Sequence, residues 1–286
     1  MVESWDDFKV VGEAQGYPLA KKRHTLEYLR SLPHLRMRTN TLAAVARARS
    51  TASIAVHSYF DSVGYLNVHT PLLTTSDCEG AGEVFRVETE IFNKPVGLTV
   101  SGQLAAEVAA TAVGACYTFG PTFRAENSNT RKHLCEFWMI EPEVPFCDAE
   151  GAMDSCEGMV RYVMDAVWGS RGEEMAFFMK FYDKGLEEKK EMISKPFERV
   201  SYTEAVETIR GEIEKDRSKW QYPDLEWGDD LQTEVRASES RSDELRKHRF
   251  QRHQYQLLSL AAAREVHRRE NVWRLPHLRV QLARLH

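Results

Sequence analysis

From Thr41 onward, apolar residues recur at steps of three or four: Leu42, Val45, Ala48, Ala52, Val56, Tyr59 and Val63. That spacing predicts a helix of about six turns with one apolar face. Thr39, Asn40 or Thr41 can cap its start, and Gly64 follows its end. Arg47 and Arg49 fall off the stripe. The run Tyr65-Leu-Asn-Val-His-Thr-Pro-Leu-Leu73 then predicts a short strand stopped at Pro71. Proline has no N–H for a ladder, so Pro71 belongs at an edge or an interface. Thr74 to Glu83 reads as a loop, with two glycines suited to mobility or to close backbone approach to a ligand. Strands are expected at Val84–Thr89 and Val96–Val100, and Ser101 can cap a helix from Gly102 to Ala112.

Alternation is cleanest from Cys116 to Arg124. One face carries Cys116, Thr118, Gly120, Thr122 and Arg124; the other carries Tyr117, Phe119, Pro121 and Phe123. A polar loop from Ala125 to Lys132 leads into a second strand, His133 to Val144, which predicts an antiparallel hairpin. Helices are expected at Ala152–Val167 and Phe177–Lys190. A strand is expected at Pro196–Tyr202, then a helix capped by Thr203 and running to Ile209. Residues 1–38 are mixed: Trp5–Val11 suits a strand, and Lys21-Lys22-Arg23-His24 reads as a solvated turn or a phosphate contact. Strand pairs mixed with separate helices give an α+β class with an antiparallel sheet.

The 286 residues suffice for one large domain or two small ones. The net charge of −5 is uneven: residues 235–286 sum to +7 and residues 1–234 to −12. With 10% aromatics, disorder of the whole chain is excluded. No apolar run long enough for a membrane span occurs, and no basic-then-apolar leader opens the sequence. The five cysteines are odd in number and form no C-x-x-C pair, which argues against a disulfide framework or a zinc ribbon. Reduced thiols, mostly packed inside, are expected, and with them a cytoplasmic location.

The hairpin carries the candidate chemistry. Arg124 stands beside the small Gly120 and Thr122, which leaves room for a ligand on that face. On the return strand Phe137, Met139, Glu141 and Glu143 share one parity. If the two faces coincide, the sheet offers a cation, a flat ring and carboxylates, a set that suits a nucleotide. The same pattern also suits a salt-bridged sheet with an ordinary core phenylalanine.

The segment Thr118-Phe-Gly-Pro-Thr-Phe-Arg-Ala-Glu-Asn-Ser-Asn-Thr-Arg-Lys-His-Leu-Cys-Glu-Phe-Trp-Met-Ile-Glu-Pro-Glu143 resembles motif 2 of the class II aminoacyl-tRNA synthetases. Phe-Trp-Met-Ile-Glu-Pro-Glu143 is most similar to the asparaginyl branch, whereas Phe-Arg-Ala-Glu126 is shared with the aspartyl one. The stretch from Thr41 through Pro71 resembles motif 1, the dimer-forming element. Asp77-Cys-Glu-Gly-Ala-Gly-Glu83 resembles the flipping loop. Val100-Ser-Gly-Gln-Leu-Ala-Ala-Glu107 resembles the amino-acid-binding segment, where aspartyl enzymes usually show Ser-Pro-Gln. The likeness covers residues 3–234.

The resemblance implies a function and roles. The class activates an amino acid with ATP and Mg²⁺ and transfers it to tRNA; here the pair would be L-asparagine and tRNA(Asn), in a homodimer with Pro71 at the interface. Arg124 would hold the ATP α-phosphate and steady its charge. Glu126 would bind near the adenine amine, and His133, beside Lys132, would contact the γ-phosphate. Phe137 would stack on adenine. Glu79 and Gln103 would hold the α-ammonium. Glu141 would accept from the asparagine side-chain NH2 and repel an aspartate carboxylate. Relatives usually carry Arg before that histidine, so Lys132 loses a bidentate fork.

Two departures follow. Residues 1–38 look like the linker or remnant of an N-terminal OB-fold that reads the anticodon. Residues 39–234 would be the catalytic domain. After Glu234 the likeness stops, and no glycine occurs after Gly228, so the glycine-rich motif 3 has no counterpart. The basic stretch 235–286, with a possible helix from Leu257 to Arg269, fits either a shifted reading frame or a nucleic-acid arm. Impaired activity is expected. Two further readings stay open: a synthetase-like asparagine synthetase, and a non-catalytic paralogue that binds tRNA or dimerises.

Overall fold

A computed structural model describes residues 9, 12, 15–75, 84–89, 93–126, 134–197, 199–220 and 223–229. The strand expected at Trp5–Val11 (Lys9 apart) and the helix expected at Leu257–Arg269 lie outside the described residues.

A short helix α1 (Leu26–Arg30) and a single 3-10 turn (Arg36–Arg38) lead to the long helix α2 (Asn40–Ser62). Thr39 caps α2: its backbone is extended and its Oγ1 accepts the Leu42 N–H at 3.5 Å. The chain leaves α2 through Gly64, whose φ of +81° is readily adopted only by glycine. The buried side of α2 is Ala44, Ala55, Val56 and Phe60. The predicted stripe is therefore rotated: Val56 is buried, but Val45 and Val63 are exposed. Val56 and Phe60 on this side pack against Tyr117, and that contact turns it inward.

One short strand, starting at Tyr65 and stopped at Pro71, was expected. Instead β1 (Leu66–Asn67) and β2 (Leu73–Thr74) enter different sheets. Strands β3 (Arg86–Val87) and β4 (Val96–Leu98) follow, then helix α3 (Gln103–Val113) and the hairpin β5 (Cys116–Phe123) with β6 (Glu136–Glu143). The first sheet runs β1-β5-β6, with β1 parallel to β5 and β5 antiparallel to β6. The second runs β2-β4-β3 and is antiparallel. The Phe123 N–H, donating to the Thr99 carbonyl at 2.9 Å, ties the end of β5 to the chain just past β4. The class is α+β as expected, with one parallel pairing added.

The odd residues of β5 and the even residues of β6 face α2 and the helix α4 (Ala149–Ser170). Tyr117, Phe119 and Ile140 pack there with Val56, Tyr59, Phe60, Met159 and Val163. Phe60 stacks on Tyr117 with centroids 4.4 Å apart, and the Tyr117 hydroxyl lies 2.7 Å from His57 Nδ1. Asp148 starts α4 three residues before the expected Ala152 because its Oδ1 accepts the Gly151 N–H at 2.8 Å.

The single helix expected at Phe177–Lys190 is two helices, α5 (Gly172–Phe181) and α6 (Leu186–Ser194). Asp183 Oδ1 accepts the Gly185 N–H at 3.0 Å, a local bond that competes with helix continuation. The described residues of Pro196–Ser201 pair with no strand, contrary to expectation. Phe197 N–H instead donates to Glu157 at 3.1 Å, and Arg199 reaches Glu150 and Asp154 on α4. Helix α7 (Tyr202–Lys215) is capped by Ser201, not Thr203, through a capping box with Glu204. It has its own small core of Ala205, Val206, Ile209, Ile213 and Leu225. Among the described residues no helix is long and apolar enough to cross a membrane.

Candidate active site

The β5–β6 register settles whether the two polar faces coincide. Cys116 pairs with Glu143, Thr118 with Glu141, Gly120 with Met139 and Thr122 with Phe137. Directly paired residues project to the same side of an antiparallel sheet. The backbone ladder continues through Arg124 N–H to the Cys135 carbonyl at 3.0 Å, so Arg124 is held at the end of that face. Tyr117, Phe119 and Ile140 sit on the opposite, core-facing side.

Helix α3 covers only one end of the polar face. Its Ala106 and Ala110 pack on Cys116. Burial pushes the Cys116 thiol up, with Glu143 adding to the effect, so it stays protonated and unreactive at neutral pH. Towards the other end the face opens: a Cβ placed on Gly120 would meet no heavy atom within 4 Å. Thr122 is buried and donates to the Phe137 carbonyl at 3.1 Å, which pins the strand beneath Phe137. The Arg124 guanidinium lies 5.5 Å from the Phe137 ring centroid, in cation–π contact. The predicted phosphate and adenine residues are thus neighbours. Glu126 is exposed, two positions past Arg124.

Glu141 stands where the open and covered ends meet. Its Oε1 accepts from Ser101 Oγ and, at 3.2 Å, from the Gly102 N–H; its Oε2 accepts from the same N–H at 3.1 Å. Ser101 Oγ in turn accepts the Gln103 N–H at 3.1 Å. Ser101 was expected to cap α3, but Gly102 occupies the cap position, and the serine hydroxyl bridges the helix start to β6 instead. Gln103, the first residue of α3, donates through Nε2 to Glu107 at 3.0 Å. Behind this cluster Thr70 and Thr118 place their hydroxyls 3.2 Å apart. A side chain on Gly102 would strike Thr70 Oγ1 at 2.5 Å and Thr118 Cγ2 at 2.9 Å. Sequence reasoning placed Thr118 on this face and Ser101–Gly102 in the amino-acid-binding segment without giving them a contact to Glu141, and it missed Thr70. The Ser-Gly dipeptide in place of Ser-Pro was the one available signal.

Pro71 is exposed, next to Thr70, and Leu72 and Leu73 beside it are exposed as well. Glu79, Lys132 and His133 lie outside the described residues. Cys116 is buried, but Cys135 and Cys147 are exposed, so among the described residues the thiols are not mostly packed inside. All four described cysteines are free. Among the described residues no three His, Cys, Asp or Glu side chains converge to hold a metal.

The family model for class II tRNA synthetases (D, K and N) matches residues 25–267. The chain belongs to this family. The class II match runs past Glu234, into the stretch that the sequence reading sets apart as a tail. Asparagine–tRNA ligase of Clostridium novyi (strain NT) is 50% identical over 248 residues, covering 79% of this chain and 52% of the relative. That of Desulfotalea psychrophila is 52% identical over 233 residues, covering 79% and 51%. The chain therefore spans about half the length of the curated relatives it matches. Among solved class II synthetases, Pyrococcus horikoshii asparaginyl-tRNA synthetase complexed with asparaginyl-adenylate superposes with a TM-score of 0.63. It is 29% identical and is covered over 45% of its length by 74% of this chain.

Proposed function

We propose that the chain carries the amino-acid- and ATP-binding half of an asparagine–tRNA ligase. The observation that carries this reading is the β5–β6 register, which gathers Arg124, Phe137 and Glu141 on one face beside Ser101–Gln103. The reaction has two steps. The asparagine carboxylate oxygen attacks the α-phosphorus of ATP; the bond to the β-phosphate oxygen breaks, pyrophosphate leaves and asparaginyl-adenylate forms. A ribose hydroxyl at the end of tRNA(Asn) then attacks the acyl carbon, and AMP leaves.

In that reading Arg124 binds the α-phosphate and offsets the charge that grows on it, a preorganised electrostatic contribution. Phe137 and Glu126 seat the adenine, and Lys132 and His133 meet the γ-phosphate. Gln103 and Glu79 hold the α-ammonium. Glu141 accepts from the side-chain amide of asparagine and repels the extra carboxylate of aspartate. Magnesium is expected to arrive with the ATP phosphates and to neutralise part of their charge. Holding both substrates in line supplies most of the remaining acceleration. A homodimer formed through α2 and Pro71 is consistent with the exposed Val45, Ile54, Val63, Leu72 and Leu73.

Asparagine-dependent exchange of pyrophosphate into ATP tests the first step. Exchange with asparagine, and little with aspartate, is expected. Its complete absence at high enzyme concentration would sink the catalytic reading for this chain. Light scattering tests the pairing; a strictly monomeric mass would remove the dimer.

A further inference from the structure

The assigned contacts leave Ser101 and Gly102 without a role, yet among the described residues these two donate the hydrogen bonds that hold the Glu141 carboxylate. We infer that the Ser101–Gly102 turn is a positioning device that sets the selectivity of Glu141 for a side-chain amide over a carboxylate. The inference rests on the proposed function and deepens it.

Three observations carry it. First, the Gly102 N–H straddles both carboxylate oxygens, at 3.1 and 3.2 Å, and Ser101 Oγ takes a second site on Oε1. An ionised carboxylate has about four acceptor sites, so the grip loads Oε1 and leaves Oε2 able to accept once more. Second, the grip is rigid. Ser101 is 8% exposed, its hydroxyl also accepts the Gln103 N–H, and Thr118, the pairing partner of Glu141, is 4% exposed. The carboxylate therefore cannot turn to offer a different edge or swing away from an approaching anion. A charge that cannot retreat discriminates better than one that can. Third, the turn demands glycine at 102 for two separate reasons. The position must donate an N–H, which proline lacks. It must also lack a side chain, because any Cβ would fall 2.5 Å from Thr70 Oγ1 and 3.2 Å from Glu141 Oε2. A Ser-Pro-Gln version of this segment would lose the amide donor and displace the carboxylate, so Glu141 and Gly102 work only as a pair.

The test is titration calorimetry of the full 286-residue chain with L-asparagine, L-aspartate and ATP, with thermal unfolding as a check on folding. Ser101→Ala is expected to reduce the asparagine-over-aspartate affinity ratio by about tenfold, the size of one charge-assisted hydrogen bond, with ATP affinity unchanged. Gly102→Pro is expected to erase the ratio. In a Glu141→Gln background, Ser101→Ala is expected to change the ratio no further, because the two act through one carboxylate. If both amino acids weaken alike and the ratio stays put, the turn is merely structural and the inference is overturned. Additive loss in the double variant also overturns it. If Gly102→Pro fails to fold, the Ser101–Glu141 cycle decides. Failure of the unaltered chain to bind either amino acid would overturn the functional reading, and the inference with it, a result distinct from a retained ratio.

Discussion

The two faces of the β5–β6 hairpin share one backbone and one register but are built by opposite rules. The core face is large and aromatic: Tyr117 and Phe119, with Ile140, fill the space against α2 and α4. The other face is small and polar: Thr118, Gly120 and Thr122 keep it shallow, and Glu141 and Arg124 flank its open part. The first face is held by contact area, the second by directional hydrogen bonds, accepted by Glu141 and donated by Thr122. Bulk stabilises the fold, and its removal from the far side makes space for a ligand. A mutation on one face should therefore change stability, and one on the other should change chemistry.

The largest effect is expected on the core face. Phe60 is 1% exposed and stacks on Tyr117. Phe60→Ala should lower unfolding stability by about 3–5 kcal/mol, read by urea denaturation, because a buried cavity replaces the ring. A loss under about 1 kcal/mol would mean this face is not the main support.

Arg124→Ala should invert that pattern. Pyrophosphate exchange is expected to fall about 10²–10³-fold, the usual consequence of removing one preorganised charge-stabilising donor. The unfolding midpoint should move little. If stability falls as far as in Phe60→Ala, Arg124 belongs to the core rather than to the chemistry. Glu141→Gln should act more subtly, reducing discrimination against aspartate by about tenfold to a hundredfold while exchange with asparagine continues. Unchanged discrimination would refute its assigned role.

Smaller effects test the periphery, which belongs to neither face. Ser201→Ala removes the capping box of α7 and should cost about 1 kcal/mol, visible as faster hydrogen exchange in α7 alone. The smallest effect concerns α2 and α5, linked by Arg47 and Glu174 at 2.5 Å. The Arg47 hydrogen bond holds the Glu174 carboxyl below the usual glutamate range. A carboxyl depressed in the folded state contributes stability that is present above its unfolded-state value and lost as pH falls through the folded one. Arg47→Met should therefore flatten stability between neutral and acid pH. An unchanged acid limb would show that the pair contributes nothing.

Much of the fold was legible in the sequence, because local periodicity carried it. The alternation over Cys116–Phe123 gave β5 nearly to the residue, and the three-four spacing gave α2. The failures share one physical cause: a local bond or a distant partner outweighed periodicity. Asp183 and Gly185 broke the helix at Phe177–Lys190. The stretch from Tyr65 holds two short strands rather than one stopped at Pro71, because its two ends pair with different strands, Cys116–Tyr117 and Gly97–Leu98. Phe197 and Arg199 lie in a stretch that looked extended, but they found Glu157, Glu150 and Asp154 on α4 rather than a strand. On α2 the apolar pattern could not say which of two stripes turns inward, and the packing of Val56 and Phe60 on Tyr117 decided it.

The sequence by itself determined which residues could do chemistry: a guanidinium beside small side chains, a ring and carboxylates of one parity on the return strand. Parity is a property of the strand alone, since side chains alternate every residue. Whether the two parities meet is a matter of register, and register depends on hydrogen bonds between segments that no single strand specifies. Only the tertiary structure decided that Thr118 opposes Glu141 and that Thr122 opposes Phe137. It also decided that Ser101 and Gly102, forty residues away in sequence terms, are the groups that hold the Glu141 carboxylate, because their donors become neighbours only once α3 rests on the hairpin.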